Sequence, residues 1–377
     1  MEKIYIIALH LAYGGVEKAI INMANIFVEK TDVEIISVYK MPNAPAFPLD
    51  ERVRVTYLLK DIPNKEEWIR AKNSRNIFSF MKESLKAVKI LYNKKKAVKK
   101  AIKGISKGTI ITTRNEDTVV LSKYGQSGVK KIAQLHHDHN FEPKLVNDIK
   151  QNYSNIDTLV LLTPQLVSET KDMLVGNNNH TKVICIPNFI EEIPPIQDFN
   201  RKKNMVISVG RLHTVKAFDR LVRIFAEANK DFPDWKLYIV GDGEEKDNLS
   251  NLISDLKMND HIILTGQKNS EEIEELLNES SIFAMTSLSE GLPFVLIEAC
   301  SCGVPMIAYD VRVGPRAVIE DKVNGYLVED NNQKSYIELL DKMMSDTELR
   351  KTMGKNAYKT ANRFSKEYVS EMWFQNL

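Results

Sequence analysis

Short runs of isoleucine, valine and leucine recur along the chain, separated almost throughout by amphipathic stretches of helical spacing. The runs at Ile4–Leu9, Val33–Val38, Val53–Leu58, Thr109–Thr112, Lys131–Leu135, Thr158–Leu162 and Lys182–Ile186 predict strands. After a break they resume at Met205–Val209, Lys236–Val240, Ile262–Leu264, Ile282–Met285, Pro305–Ala308 and Tyr326–Val328. Strands that are apolar throughout, in place of alternating ones, belong to sheets covered on both faces. Regular alternation of strand and helix predicts parallel, doubly wound sheets.

The break, residues 189–203, sets two prolines among acidic and polar residues and reads as a linker. A chain of 377 residues also exceeds the usual size of one core. The expected fold class is therefore α/β: two Rossmann-like doubly wound parallel-sheet domains, 1–188 and 204–365, facing each other across a cleft. A last helix, 366–377, carries Met372, Trp373 and Phe374, aromatic surface too large to leave in water. It either closes the second domain or packs back on the first.

Ligands of open α/β sheets bind outside the carboxyl ends of the strands, so the loops after strands are where chemistry is expected. After the strand ending at Val209, Gly210 permits a sharp turn, and Arg211 and Lys216 bring a guanidinium and an ammonium to the head of the next helix. Two fixed cations beside a helix N-terminus suit a diphosphate. After the strand ending at Met285 come Glu290 and, eight residues on, Glu298. That separation is about 12 Å along a helix, longer than the ~5–10 Å of a hydrolytic carboxylate pair. The two are expected to touch different parts of one long ligand, Glu290 a sugar and Glu298 ribose hydroxyls. Gly291, Leu292 and Pro293 between them open the helix, where free N–H groups suit a phosphate.

In the first half, Gly14 and Gly15 sit between a strand and a helix and allow close backbone approach to a donor diphosphate or an acceptor group. They do not form the Gly-x-Gly-x-x-Gly pattern of NAD-binding domains. Leu135-His-His-Asp-His139 ends another strand. His136 and His137 point opposite ways on a strand, and no distant Cys or His motif completes a metal set. Cys185, Cys300 and Cys302 form no disulfide framework and point to a reducing compartment.

The net charge of +2 argues against a nucleic-acid partner, yet it hides an imbalance. From Lys60 to Lys107 fifteen Lys and Arg face four Asp and Glu, a surplus of eleven, so the remainder is net −9. Within this stretch Ile77, Phe78, Phe80, Met81, Leu85, Val88, Leu91 and Tyr92 recur at helical spacing with lysines between them. Segment 77–103 is expected to lie on an anionic membrane surface, or alternatively to bind a polyanionic acceptor. The N-terminus lacks the length and flanks of a signal peptide, and no apolar run reaches the ~18–20 residues that span a bilayer. The expected location is cytoplasmic, with peripheral attachment to the inner face of the cell membrane.

Together, Gly210-Arg-Leu with Lys216, Val240-Gly-Asp-Gly243, Gly266, the Glu290-x7-Glu298 element, Ala299-Cys-Ser-Cys-Gly-Val-Pro305, Asn324-Gly-Tyr-Leu-Val328 and Gly14-Gly-Val-Glu17 resemble a family-4 glycosyltransferase of the GT-B fold, of bacterial surface-glycan type. The resemblance spans essentially the whole chain and is specific in the second half. It implies a hexose or N-acetylhexosamine moved from a UDP-sugar, with retention, to a hydroxyl of a lipid-linked or teichoic-acid-like glycan. It implies no obligatory metal, and the absence of any Asp-x-Asp agrees. Arg211 and Lys216 would then carry the leaving-group charge. A histidine after the fifth strand, His136 or His137 with His136 favoured, would face the donor sugar. Two alternatives stay open on the same fold: a nucleotide-sugar epimerase or phosphorylase, and a non-catalytic nucleotide-sugar-binding partner.

Overall fold

The computed structural model describes residues 2–377 except Asn43, Asp61, Arg75 and Gln197, and omits the side chain of Arg201. Asp61 and Arg75 of the basic stretch, and Gln197 of the expected linker, thus lie outside the described residues. The chain divides into two compact units, 1–161 with 166–186, and 187–376 with 162–165.

The first unit is built on a parallel sheet of β1 (Ile4–Ala8), β2 (Val33–Tyr39), β3 (Arg54–Leu59), β4 (Gly108–Thr112), β5 (Val129–Leu135), β6 (Thr158–Leu161) and β7 (Lys182–Cys185). Their order is β3-β2-β1-β4-β5-β6-β7. Helices α1 (Gly15–Phe27), α2 (Lys65–Asn73), α3 (Ile77–Gly104), α4 (Asn115–Tyr124), α5 (Pro143–Asn147) and α6 (Pro164–Leu174) connect them. Every residue of β2 and β4 is buried, as expected of strands covered on both faces.

The second unit carries β8 (Met205–Val209), β9 (Lys236–Val240), β10 (Ile262–Gly266), β11 (Ile282–Met285), β12 (Met306–Tyr309) and β13 (Gly325–Val328) in the order β10-β9-β8-β11-β12-β13, all parallel. Its helices are α7 (Phe218–Ala228), α8 (Lys246–Asp255), α9 (Ser270–Glu279), α10 (Phe294–Ser301), α11 (Pro315–Val318), α12 (Gln333–Ser345), α13 (Thr347–Ala361) and α14 (Lys366–Phe374). One core packs α7 and α12 on the sheet through Leu221, Phe225, Tyr336 and Leu340. The other packs α10 and α13 through Ile297, Cys300, Ala357 and Ala361. At the start of two helices side-chain oxygens replace missing backbone partners: Asn269 and Glu272 form a capping box on α9, and Asp346 caps α13.

Residues 189–203 belong to the second unit and are not a loose connection. Ile190 forms a bridge with Ser365, the Tyr358 hydroxyl donates to the Pro194 carbonyl at 3.0 Å, and the Phe199 ring fills the space left by Gly303 and Gly354. Lys202 donates to the carbonyls of Leu277, Asn278 and Cys302, tying together two helix ends, and burial holds it down at about 8. The prolines therefore mark an irregular path along a surface. Helix α14, with Val369 and Trp373 buried, also falls in the second unit. Cys300 and Cys302 are buried free thiols under the α10 turn, where burial raises both above the usual thiol range.

In each sheet the chain first winds one way and then the other. The reversal lies between β1 and β4 in the first unit and between β8 and β11 in the second. Loops leaving the carboxyl ends of strands at such a reversal are the usual ligand position in sheets of this kind.

Candidate active site

The second unit gathers the expected cationic and acidic residues at its reversal. Gly210 leaves β8 with its N–H on the Val240 carbonyl (2.9 Å), and Leu212 donates to the Asp242 carbonyl (3.0 Å). The loops after β8 and β9 touch so closely that a Cβ on Gly241 or Gly243 would run into the carbonyl oxygens of Gly210 or Leu212. Both glycines also have positive φ, 146° and 156°. These are the physical reasons for glycine in Val240-Gly-Asp-Gly243.

Beyond Leu212, His213 Nδ1 accepts the Val215 N–H and caps a short turn over Thr214–Lys216. Ala217 then takes a left-handed conformation, φ 47°, before α7 begins at Phe218. A side chain in this region is strained and persists only where neighbours hold it. Here the buried Thr286 hydroxyl donates to the Ala217 carbonyl (3.0 Å), and the Leu288 N–H donates to the Val215 carbonyl (2.8 Å). The β8 and β11 loops are thereby laced together. The stem of Lys216 folds over Gly210, and its Nζ lies 2.6 Å from Glu290 Oε1. Glu290 is nearly buried (side chain 9% exposed), whereas Lys216 keeps 25%.

Arg211 is exposed and makes no ion pair among the described residues. The structure thus brings Lys216 to Glu290 and leaves Arg211 at the rim. Gly314 (φ 101°) backs the acidic loop so tightly that a Cβ would lie 2.8 Å from that of Glu290 and 3.0 Å from the Gly291 carbonyl. The Leu292 carbonyl accepts from Asn188 Nδ2 (2.9 Å), and Pro293 occupies the cap position of α10. Glu298 sits half-buried in the middle of α10, eight residues after Glu290.

The first unit assembles a second polar cluster at its own reversal. Glu17, in the first turn of α1, is buried. Its Oε1 lies 3.5 Å from His10 Nδ1, after β1, and 3.9 Å from Arg114 Nη2, after β4. The Glu17 carboxylate also occupies the space a side chain on Gly14 would need, so a larger residue there would displace it. Burial holds the His10 imidazole below its usual range against the pull of Glu17, with Arg114 adding to the lowering.

His136, at the end of β5, is buried, and burial, reinforced by His137 and Arg114, pushes it down to about 3. It is a neutral imidazole at physiological pH, and its Nε2 lacks a hydrogen-bond partner among the described residues. His137 is exposed. His139 turns elsewhere: its Nδ1 accepts the Phe141 N–H (3.1 Å), so its Nε2–H faces Glu169 Oε2 (3.2 Å) on α6. The three histidines therefore diverge and share no ligand set. Arg114 was not singled out by pattern reading. The only available signal was a cation directly after a buried strand.

Two parallel α/β sheets of seven and six strands, each with its polar cluster at the reversal, define the GT-B glycosyltransferase fold. Residues 189–360 match the family model "Glycosyl transferases group 1". An uncharacterized glycosyltransferase of Haemophilus influenzae is 28% identical over 378 residues, 99% of this chain and 99% of its own. An exopolysaccharide phosphotransferase of Streptomyces coelicolor is 28% identical over 369 residues, covering 96% of this chain but 39% of that protein. A Staphylococcus aureus TarM variant, solved with fondaparinux, alpha-GlcNAc-glycerol and UDP, shares the fold with a TM-score of 0.78 at 15% identity, covering 100% of this chain and 99% of that one. The family-model match and the Haemophilus relative support glycosyltransferase activity, and the likeness to TarM shows the fold.

Proposed function

We propose that the protein is a retaining glycosyltransferase that moves a hexose or N-acetylhexosamine from a UDP-sugar to a hydroxyl of a bacterial cell-surface glycan precursor. The observation that carries this reading is the Lys216–Glu290 pair at the second sheet's reversal, with Arg211 on the same loop. Two cations at the head of α7 would hold the donor diphosphate and stabilise charge developing on it as the sugar departs. Glu290 would orient the sugar, and Glu298 would accept hydrogen bonds from ribose. Neutral His136 would offer an uncharged imidazole toward the sugar. The cationic loop supplies the role a divalent metal would otherwise play, so no obligatory metal is proposed.

The relatives support the substrate class in outline. The TarM variant holds UDP together with fondaparinux and alpha-GlcNAc-glycerol, and the Streptomyces protein is named for exopolysaccharide. The first unit, with Gly14, Gly15 and the Glu17 cluster, would receive the acceptor. Calorimetric titration with UDP, GDP, ADP and NAD tests the reading. Selective UDP binding that disappears in Arg211→Ala plus Lys216→Ala is expected. Equal binding of all nucleotides, or none, would overturn it.

A further inference from the structure

Helix α3 has two faces, and among the described residues only one is packed against the chain. Asn76 caps it by accepting the Ser79 N–H (3.1 Å), and 28 residues then run to Gly104, a length of about 42 Å. Its inner face is anchored. Ile90, Val98 and Ile102 are buried, the Phe80 ring packs 5.5 Å from that of Trp68, and the Trp68 indole donates to Ser84.

The outer face carries Ile77, Phe78, Met81, Leu85, Val88 and Tyr92, between 56% and 87% exposed. Steps of four, four, three and four residues from Ile77 to Tyr92 put these side chains in one stripe. Such a run of large apolar groups on one helix face is not scattered surface apolarity and marks an interaction site.

What surrounds the stripe selects its partner. Residues 77–104 contain nine lysines and a single acid, Glu83. That carboxylate is turned inward, accepting from Asn64 Nδ2 at 2.8 Å. Lys82, Lys86 and Lys89 border the apolar stripe, and exposed Lys95, Lys96 and Lys100 continue beyond it. A second copy docked symmetrically would set two lysine arrays against each other. A hydrophilic polyanion would satisfy the lysines and leave the apolar stripe in water. An anionic bilayer satisfies both, taking the apolar stripe at the acyl boundary and the lysines at the phosphates.

We propose that α3 is an in-plane membrane anchor for an anionic lipid surface, with Phe78 and Leu85 inserted and Lys95, Lys96 and Lys100 on the headgroups. The inference rests on α3 alone and not on the donor site, so vesicle binding and UDP binding fail independently. The test is co-sedimentation of the full chain with vesicles of phosphatidylcholine alone or mixed equally with phosphatidylglycerol. Binding to the mixed vesicles, weak on the neutral ones, is expected.

Phe78→Ser plus Leu85→Ser should weaken partition at least tenfold. Lys95→Glu, Lys96→Glu and Lys100→Glu together should weaken it roughly a hundredfold, about fivefold for each lysine lost. All five positions are exposed, so both variants should fold and retain UDP binding. Loss in the lysine variant with full binding in the serine variant would show a polyanion surface and overturn the anchor. So would a dimer in light scattering that only the serine variant dissociates, since the stripe would then belong to a second copy.

Discussion

Lys216 and Glu290 are already paired before any donor arrives, which leads to an asymmetric outcome for their substitutions. A diphosphate that recruits Lys216 must share it with Glu290, so Glu290→Gln should release the ammonium rather than damage the phosphate site. One freed ionic contact corresponds to about 1.4 kcal/mol, so UDP should bind equally well or up to about tenfold tighter while sugar transfer collapses. Lys216→Met does the reverse. It removes the cation and leaves a carboxylate that is only 9% exposed without its 2.6 Å partner. Stripping one member of a fully buried pair costs about 3–5 kcal/mol, whereas an exposed pair contributes up to about 1. With Lys216 25% exposed, the expected destabilisation is about 2–3 kcal/mol for Lys216→Met and under about 1 for Glu290→Gln. Urea unfolding reads the first quantity and calorimetry with UDP the second. If Glu290→Gln weakened UDP binding as much as Lys216→Met, the pair would not be competing with a diphosphate, and the assignment of Lys216 would fall.

Asp117, on α4, is buried with Oδ2 unpartnered among the described residues, and burial pushes its carboxyl up to about 6, Lys94 opposing and Glu116 adding. Because the folded state holds this proton more tightly than the unfolded chain, the stability it contributes is present below about pH 4 and is lost as pH rises through about 6. Asp117→Asn should therefore be more stable than the parent by about 2–3 kcal/mol at pH 7–8 in urea melts, with the advantage vanishing below about pH 4; an advantage independent of pH would refute this. Gly241→Ala should cost more than about 2 kcal/mol and abolish UDP binding, since the new Cβ pushes the Gly210–Arg211 backbone away. A variant that retained its thermal midpoint and its UDP affinity would show that the two loops are not packed as described.

Much of this architecture was legible because strand burial imposes a simple code. Runs such as Ile4–Leu9 and Met205–Val209 are apolar at nearly every position instead of alternating, as strands covered on both faces require. Residues 189–203 were legible less well. Their prolines and charges look like a linker, and only the tertiary packing of Ile190, Phe199 and Lys202 shows that the segment is fastened to the second unit. The stripe on α3 reads from sequence as a basic amphipathic helix suited to an anionic surface, without showing which residues face outward. Which face turns inward depends on Trp68 and the sheet, distant in the pattern.

The chain by itself determined which loops carry chemistry, because glycine, arginine, lysine and glutamate directly after buried strands are local features. It also determined that those loops end parallel strands, since strand–helix alternation leaves no other arrangement. Only the tertiary structure decided that the β8 and β11 loops are neighbours, through the strand order that reverses between them. The Lys216–Glu290 contact spans 74 residues of sequence, and no periodicity encodes a pairing at that range. The same holds for Glu17 with Arg114. Segments that follow β1 and β4 meet there because the sheet sets those strands side by side, and burial then gives His10 and His136 their lowered proton affinity.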